Sequence, residues 1–344
     1  MQGHTDAPVL VTGASGYIAS HLIKLLLEKG FKVHGSVRSI SNKAKYQFLY
    51  DLVPEKKDNL TLVEAELTNK ESWLKAVEGC QYIFHVASPI PPSVPKDEND
   101  LIIPAVEGTL NVLEAALQKG AKKVVVTSSC LSITIGQPPG KLATEEDWSK
   151  EEFCPAYPKS KVRAEKAAWD FYEKNKDKIE VTTVLPSLVF GPIFTPHGNS
   201  SETMIAEIIR GNYPGIMDVG FAVVDVRDVA LAHFNAMFKE GTSGKRYINA
   251  GCTASMEDVY KALKKDLDQY GYKINDKHVT AEEVVASGNA VAQRMVPLIG
   301  KKMLVNNERS KQELGMNYLP FDQTVRDMAH SMIKQGVVEN KLPK

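Results

Sequence analysis

The feature that most constrains this chain is the segment Val11-Thr12-Gly13-Ala14-Ser15-Gly16-Tyr17-Ile18-Ala19. A short β-branched run over residues 9–12 leads into it. A stretch with apolar residues at helical spacing (Ile18, Leu22, Leu25, Leu26) comes next and stops at Gly30. Strand, glycine turn and helix in this order make a phosphate-binding corner. Gly13 permits the tight turn, Gly16 lets the backbone approach a pyrophosphate, and Ala19 is small enough for the helix to pack on a sheet. The free N–H groups and positive dipole end of the helix then face the phosphates. Two glycines at a turn also occur in plain structural corners, so the reading depends on the rest of the chain.

Beyond Gly30 the chain alternates. Strands are expected over residues 32–37, 60–64, 82–86, 123–128 and 181–185, with helices over 72–77, 99–119 and 157–176. Strands and helices at this spacing build βαβ units, and valine-rich runs such as Val124-Val125-Val126 suit a sheet covered on both faces. The fold class is therefore α/β, a Rossmann-type doubly wound parallel sheet. Past Pro186 the rhythm breaks. Residues 191–201 are rich in Gly, Pro, Ser and Thr, and isolated strands are expected near 221–226 and 246–250. The expected division is a nucleotide-binding domain over 1–190 with a returning segment at about 221–250, and a smaller, intertwined C-terminal lobe over 191–344.

The second strand bears on the cofactor. Folds that bind NAD place an acid about 20 residues beyond the glycines, on the ribose hydroxyls. No acid occurs here between Glu28 and Asp51; Arg38 sits at the strand end, with Lys43 and Lys45 after it. An arginine fork beside a lysine suits a 2′-phosphate, so NADPH/NADP is the expected cofactor.

Hydride transfer to a carbonyl needs a proton donor at the developing alkoxide. A tyrosine can serve if a nearby cation lowers its pKa, and a lysine four residues later shares its helix face. Tyr-x-x-x-Lys occurs at Tyr157/Lys161, Tyr172/Lys176 and Tyr260/Lys264. Ligands in such sheets bind beyond the carboxyl ends of the strands. Tyr157 opens the helix after the valine-rich strand and so lies near that edge, whereas Tyr172 lies roughly 22 Å further down. Tyr172 and Tyr260 are expected to be surface helix residues. The hydroxyls of Thr127-Ser128-Ser129, at the end of the valine-rich strand, either reach a substrate oxygen or cap the turn.

Composition narrows the function classes. Lysine plus arginine number 42 and aspartate plus glutamate 42, so no chain-wide basic footprint for nucleic acid exists. Cys80, Cys130, Cys154 and Cys252 lack CxxC spacing, which argues against a metal site and a disulfide framework. Neither an apolar signal core nor a run of about 18 apolar residues occurs. A cytoplasmic protein with reduced thiols and no membrane partner is expected. Whether it is a monomer or a homodimer is open.

Together these residues resemble the extended short-chain dehydrogenases/reductases, a group with the fold of the NAD-dependent epimerase/dehydratase family. More closely they resemble the dihydroflavonol reductase, cinnamoyl-CoA reductase and yeast-type aldehyde reductase group. The resemblance runs from about Val9 to Ala250. Besides the glycine turn it rests on His85-Val86-Ala87-Ser88-Pro89, Val126-Thr127-Ser128-Ser129, Tyr157-Pro158-Lys159-Ser160-Lys161, Leu185-Pro186-Ser187-Leu188-Val189-Phe190-Gly191-Pro192 and Asp225-Val226-Arg227-Asp228. It implies Ser129 as the catalytic serine, Tyr157 as proton donor and Lys161 as its partner. It implies cofactor contacts at Gly13, Ser15, Gly16, Tyr17, Ile18, Val86, Ala87, Ser88, Thr127, Tyr157 and Lys161. Arg38 and Lys45 match the residues that hold the 2′-phosphate. Glu66 and Leu67 match those that flank the adenine, the glutamate standing where the family has aspartate. Pro186, Ser187 and Val189 match the segment beside the nicotinamide. Asp225 and Asp228 are expected to fix the second lobe.

The expected activity is NADPH-dependent reduction of an aldehyde or ketone, with a small-molecule carbonyl as the partner. Ile90, Cys130, Leu131, Ile193 and Phe194 are candidate walls of its pocket, and residues 191–198 are a candidate lid. The alternatives are an NAD-bound sugar-nucleotide epimerase or dehydratase, a hydroxysteroid-type dehydrogenase, and a non-catalytic NADP-sensing protein. Arg38 speaks against the sugar-nucleotide enzymes, and the Tyr157–Lys161 pair against the sensor.

Overall fold

The structure, a computed structural model, describes residues 7–89, 95–196 and 200–343. Its strands, in chain order, are β1 (Val9–Val11), β2 (Val33–Val37), β3 (Leu60–Glu64), β4 (Tyr82–His85), β5 (Lys123–Thr127), β6 (Glu180–Pro186), β7 (Leu188–Phe190), β8 (Gly220–Asp225), β9 (Arg246–Asn249) and β10 (Cys252–Ser255). Seven of them form one sheet in the order β3-β2-β1-β4-β5-β6-β9, with every neighbouring pair parallel. The order reverses between β1 and β4, and a ligand crevice opens at such a switch point beyond the strands' carboxyl ends.

Strand alternation divides the core. Val9, Val11, Phe84, Val125 and Val184 face the helices Tyr17–Glu28 and Val226–Phe238, with Leu22, Ile23, Leu26, Ala232 and Ala236 packed on them. Leu10, Ile83, Val124, Val126 and Val181 face the helices Asn99–Gln118 and Ala156–Asn175, whose Val112, Leu113, Ala116 and Ala168 close the other side. Both faces are covered, which is why these strands read as continuous apolar runs.

β7, β8 and β10 form a second, small sheet, β8 parallel to β7 and antiparallel to β10. It packs with the helices Ser200–Ile209, Met256–Leu267 and Phe321–Lys334 around Ile205, Tyr260, Leu263 and Met328. The segment expected to return to the first lobe is thus divided. β8 stays with the small sheet, and only the Val226–Phe238 helix and β9 rejoin the large one. Tyr260, expected on a helix surface, is 1% exposed, because it shares the apolar face of its helix with Val259 and Leu263. Tyr172 is half-buried, its hydroxyl 3.4 Å from Ser243 Oγ. Among the described residues no helix is long and apolar enough to cross a membrane.

Candidate active site

The glycine turn sits at the end of β1, above the switch point. Gly13 takes φ +67°, and a Cβ there would lie 3.1 Å from Ala87 Cβ. Its N–H donates to Ser36 Oγ (3.0 Å) and the Ala14 N–H to the Ser36 carbonyl (2.8 Å), which fastens the turn to β2. Gly16 caps the following helix with no side-chain bond, so the first helical N–H groups face outward for an anion. A Gly13→Ala substitution would strain a left-handed backbone and press on Ala87. We expect it to lower unfolding stability by about 1–2 kcal/mol, measurable by denaturant titration, and to weaken dinucleotide binding in the same protein.

Thr12, just before the turn, organises the neighbouring loop. Its Oγ1 accepts from the N–H groups of Val86 and Ala87, both at 2.9 Å. Its own proton therefore goes to His85 Nδ1, 3.1 Å away, which places the imidazole proton on Nε2. Burial, and next the charge of Lys161, hold the His85 pKa down to about 3, so the ring is neutral. In the sequence His85 stands out only as one residue of a motif, with no sign of this role. Ser88 lies on the same loop, half-buried. Ile90 and residues 91–94 lie outside the described residues.

On the β2 side Arg38 and Lys45 are both exposed. The turn that carries them is held by Asn42 Oδ1, which accepts from the Lys45 N–H (3.3 Å), and by Glu64 Oε1, which accepts from the Ile40 N–H (2.7 Å). Beyond β3, Glu66 is exposed. The Leu67 carbonyl accepts from Asn111 Nδ2 (2.9 Å) and Trp73 Nε1 (3.3 Å), which fixes this turn from behind. Ser15 and Ile18 are half-buried around the glycine turn.

The candidate chemistry gathers at the carboxyl ends of β5 and β6. Ser129, with φ −163°, comes just after β5, and its Oγ accepts from the Leu131 N–H (3.1 Å). It thus caps the turn with a lone pair and keeps its proton for another acceptor. Tyr157 is the second residue of the Ala156–Asn175 helix and Lys161 lies one turn on. Lys161 Nζ is 3.4 Å from the Thr127 carbonyl and 6.0 Å from the Tyr157 ring centroid. Burial lowers the Lys161 pKa to about 8, with the charge of Glu165 opposing it. The Tyr157 pKa does not fall as the Tyr–Lys spacing suggests. Burial pushes it up to about 12, since the desolvation of the phenolate outweighs an ammonium this far from the ring.

Thr127 presents its backbone to this site. Its hydroxyl donates to His233 Nε2 (2.8 Å), because His233 Nδ1–H is committed to the Val229 carbonyl (2.8 Å). Burial lowers the His233 pKa to about 4. At the end of β6 the Ser187 N–H donates to the Asn249 carbonyl (3.0 Å). Ser187 Oγ and Asn249 Oδ1 are buried without hydrogen-bond partners. A buried hydroxyl with no partner beside Pro186 and half-buried Val189 fits a polar ligand group such as a carboxamide.

The candidate substrate walls separate. Leu131 is half-buried beside Ser129. Cys130 is 1% exposed, its thiol donating to the Leu185 carbonyl at 3.1 Å, so packing and not an open wall accounts for it. Ile193 is 2% exposed in the core of the second lobe, with its N–H on Ser331 Oγ (2.8 Å). Phe194 stacks on His21, ring centroids 4.1 Å apart. His21 Nε2–H reaches the Pro192 carbonyl (2.8 Å) and the Tyr17 hydroxyl the Gly191 carbonyl (2.6 Å), so residues 191–194 are clasped to the first helix. Asp225 accepts from the Arg227 N–H (2.8 Å) and the Thr324 hydroxyl (2.8 Å), and Asp228 from the Leu319 N–H (2.9 Å). Both bind the second lobe together.

Comparison with known proteins places this geometry among reductases. The model of the NAD dependent epimerase/dehydratase family matches residues 9–251. An anthocyanidin reductase of Vitis vinifera is 36% identical over 278 residues, 76% of this chain and 81% of that protein. Cinnamoyl-CoA reductase 1 of Petunia hybrida is 32% identical over 342 residues, 98% and 95% of the two chains. Among solved structures, Gre2 from Candida albicans in complex with NADPH superposes with a TM-score of 0.77 at 28% identity, covering 96% of this chain and 99% of the other.

Proposed function

We propose that this chain, which belongs to the NAD dependent epimerase/dehydratase family, reduces an aldehyde or ketone to the alcohol with NADPH. It is an oxidoreductase of the extended short-chain type, like the relatives it aligns with over most of its length. One observation supports the reaction: Lys161 Nζ lies 3.4 Å from the Thr127 carbonyl at the carboxyl end of β5, with Ser129 just after that strand and Tyr157 one helical turn before Lys161.

The residues present fit the dinucleotide. The turn over residues 13–18 takes the pyrophosphate, Arg38 and Lys45 the 2′-phosphate, and Glu66 and Leu67 the adenosine side. Residues 86–88, the Thr127 backbone and residues 186–189 line the nicotinamide end, where Ser187 Oγ lacks a partner. NADPH supplies a hydride when bound. This chain's own groups do the rest. Ser129 donates a hydrogen bond to the carbonyl oxygen and holds it. Tyr157, kept protonated by its raised pKa, delivers a proton to that oxygen as charge develops. Lys161 stabilises the phenolate left behind. Half-buried Leu131 supplies an apolar wall, which favours an aromatic or aliphatic carbonyl over a sugar.

The decisive experiment is a panel of aldehydes and ketones incubated with NADPH or NADH while cofactor consumption is followed. NADPH should support turnover of at least one carbonyl and NADH much less. Consumption of neither would end the proposal. With an active substrate, turnover should fall as pH rises through about 8, because the Lys161 ammonium is present below that pH and lost above it. A flat profile across that range would remove Lys161 from the mechanism.

A further inference from the structure

One helical turn beyond Lys161, on the same buried face, lies a carboxylate that the proposed reaction does not use. Glu165 is 1% exposed. Its Oε2 accepts from the hydroxyls of Ser128 (2.6 Å) and Ser132 (2.7 Å), and its Oε1 from Thr183 Oγ1 (2.9 Å). Arg246, from β9, closes on both oxygens, Nε to Oε1 at 2.8 Å and Nη2 to Oε2 at 3.1 Å. The guanidinium is itself fixed. Its Nη1 donates to the carbonyls of Glu145 (2.7 Å) and Asp147 (2.8 Å), and it lies 3.8 Å above the Trp148 ring.

Ser128 and Ser132 bracket the candidate catalytic serine, and the Ser132 hydroxyl also sits 2.8 Å from the Ser129 carbonyl. The turn that presents Ser129 is therefore gripped on both sides by one carboxylate on the helix that presents Tyr157 and Lys161. A fully desolvated ion pair adds little stability over an apolar replacement of the same shape, so stability alone is a weak reason for one here. We infer that Glu165 is a positioning residue: clamped by Arg246, it locks the Ser129 turn to the Tyr157–Lys161 helix and places a negative charge one turn beyond the Lys161 ammonium. This rests on the reductase reading above.

The ionisable groups around Lys161 are Tyr157 and Glu165 on its own helix, His85 from β4 and, across Glu165, Arg246 from β9. His85 is neutral, so Glu165 is the group that opposes the desolvation of the ammonium. Glu165→Gln keeps hydrogen-bond acceptance toward the serines, removes the charge and leaves the Arg246 cation without its bidentate partner, with Glu145 the carboxylate still near it. Both changes disfavour the Lys161 ammonium.

The test uses full-length protein, saturating NADPH and a carbonyl that the panel shows to be turned over. In Glu165→Gln, kcat should fall about tenfold and the alkaline limb of its pH profile should move down by about 1 pH unit, with NADPH affinity unchanged. In Ser128→Ala/Ser132→Ala, kcat should fall about tenfold while the limb stays at the wild-type pH. A role confined to folding stability would lower the melting temperature and leave the limb where it was. An unmoved limb in Glu165→Gln, or wild-type kcat in the double serine variant, overturns the assignment. The serine variant decides the positioning role by itself if Glu165→Gln does not fold. Wild-type protein inert toward every carbonyl would overturn the reductase reading; active wild type with unaltered variants would overturn only the role of Glu165.

Discussion

Tyr157→Phe should lower kcat by about 10²–10⁴-fold and leave NADPH affinity unchanged. The ring stays, so the packing of the helix start is kept, and only the oxygen is lost. Ser129 can still hold the carbonyl oxygen, and the proposed pyrophosphate and 2′-phosphate contacts are untouched, yet no group remains to deliver the proton. Single-turnover kinetics with saturating NADPH measures the loss, and quenching of protein fluorescence by NADPH measures binding. Turnover close to that of the wild type would show that the proton comes from elsewhere. The raised pKa of Tyr157 sharpens the expectation: the phenol stays loaded across the working pH range, so no part of the deficit comes from titration of this group.

Arg38→Ala should weaken NADPH binding roughly 10- to 100-fold, and adding Lys45→Ala should weaken it further, while NADH binding barely changes. Arg38, just after β2, and Lys45, in the turn that follows, are both exposed, where the proposed function has them meet a dianion. Their contribution should shrink as salt is raised, since exposed charges are screened. Dissociation constants for both dinucleotides at low and high ionic strength provide the check. An equal loss for NADPH and NADH would mean that Arg38 supports the loop and does not read the 2′-phosphate.

Much of this was legible in the residues because parallel, doubly covered strands leave a strong local signature. Val124-Val125-Val126 sends side chains to both faces in turn, and each face is capped by a helix whose apolar spacing shows in the sequence. The helix expected over 157–176 spans Ala156–Asn175. The features that escaped depend on pairings across long separations. β7 has three residues, too few to show a period, and it becomes a strand only because Leu188 meets Val223. Glu165 and Arg246 stand 81 residues apart, and neither carries a local mark of its partner. The spacing of Tyr260 and Lys264 could not tell which way the phenol faces. Cys130 and Ile193 read as walls because they flank site residues in sequence, whereas the backbone turns both inward. The Tyr157 pKa depends on how much water the fold excludes, a quantity no motif encodes.

The clasp between the first helix and residues 191–194 ties the glycine turn directly to the start of the second lobe. The helix that follows the glycine turn also carries, on its first turn and a half, the two rings that hold the start of the other lobe. If the proposed dinucleotide orders this helix, residues 191–194 would be ordered with it, and by thermodynamic reciprocity a ligand that orders residues 191–194 would tighten dinucleotide binding. Under the proposed function, shape changes at Tyr17 or His21 are therefore expected to alter substrate choice through a seam that itself touches no carbonyl.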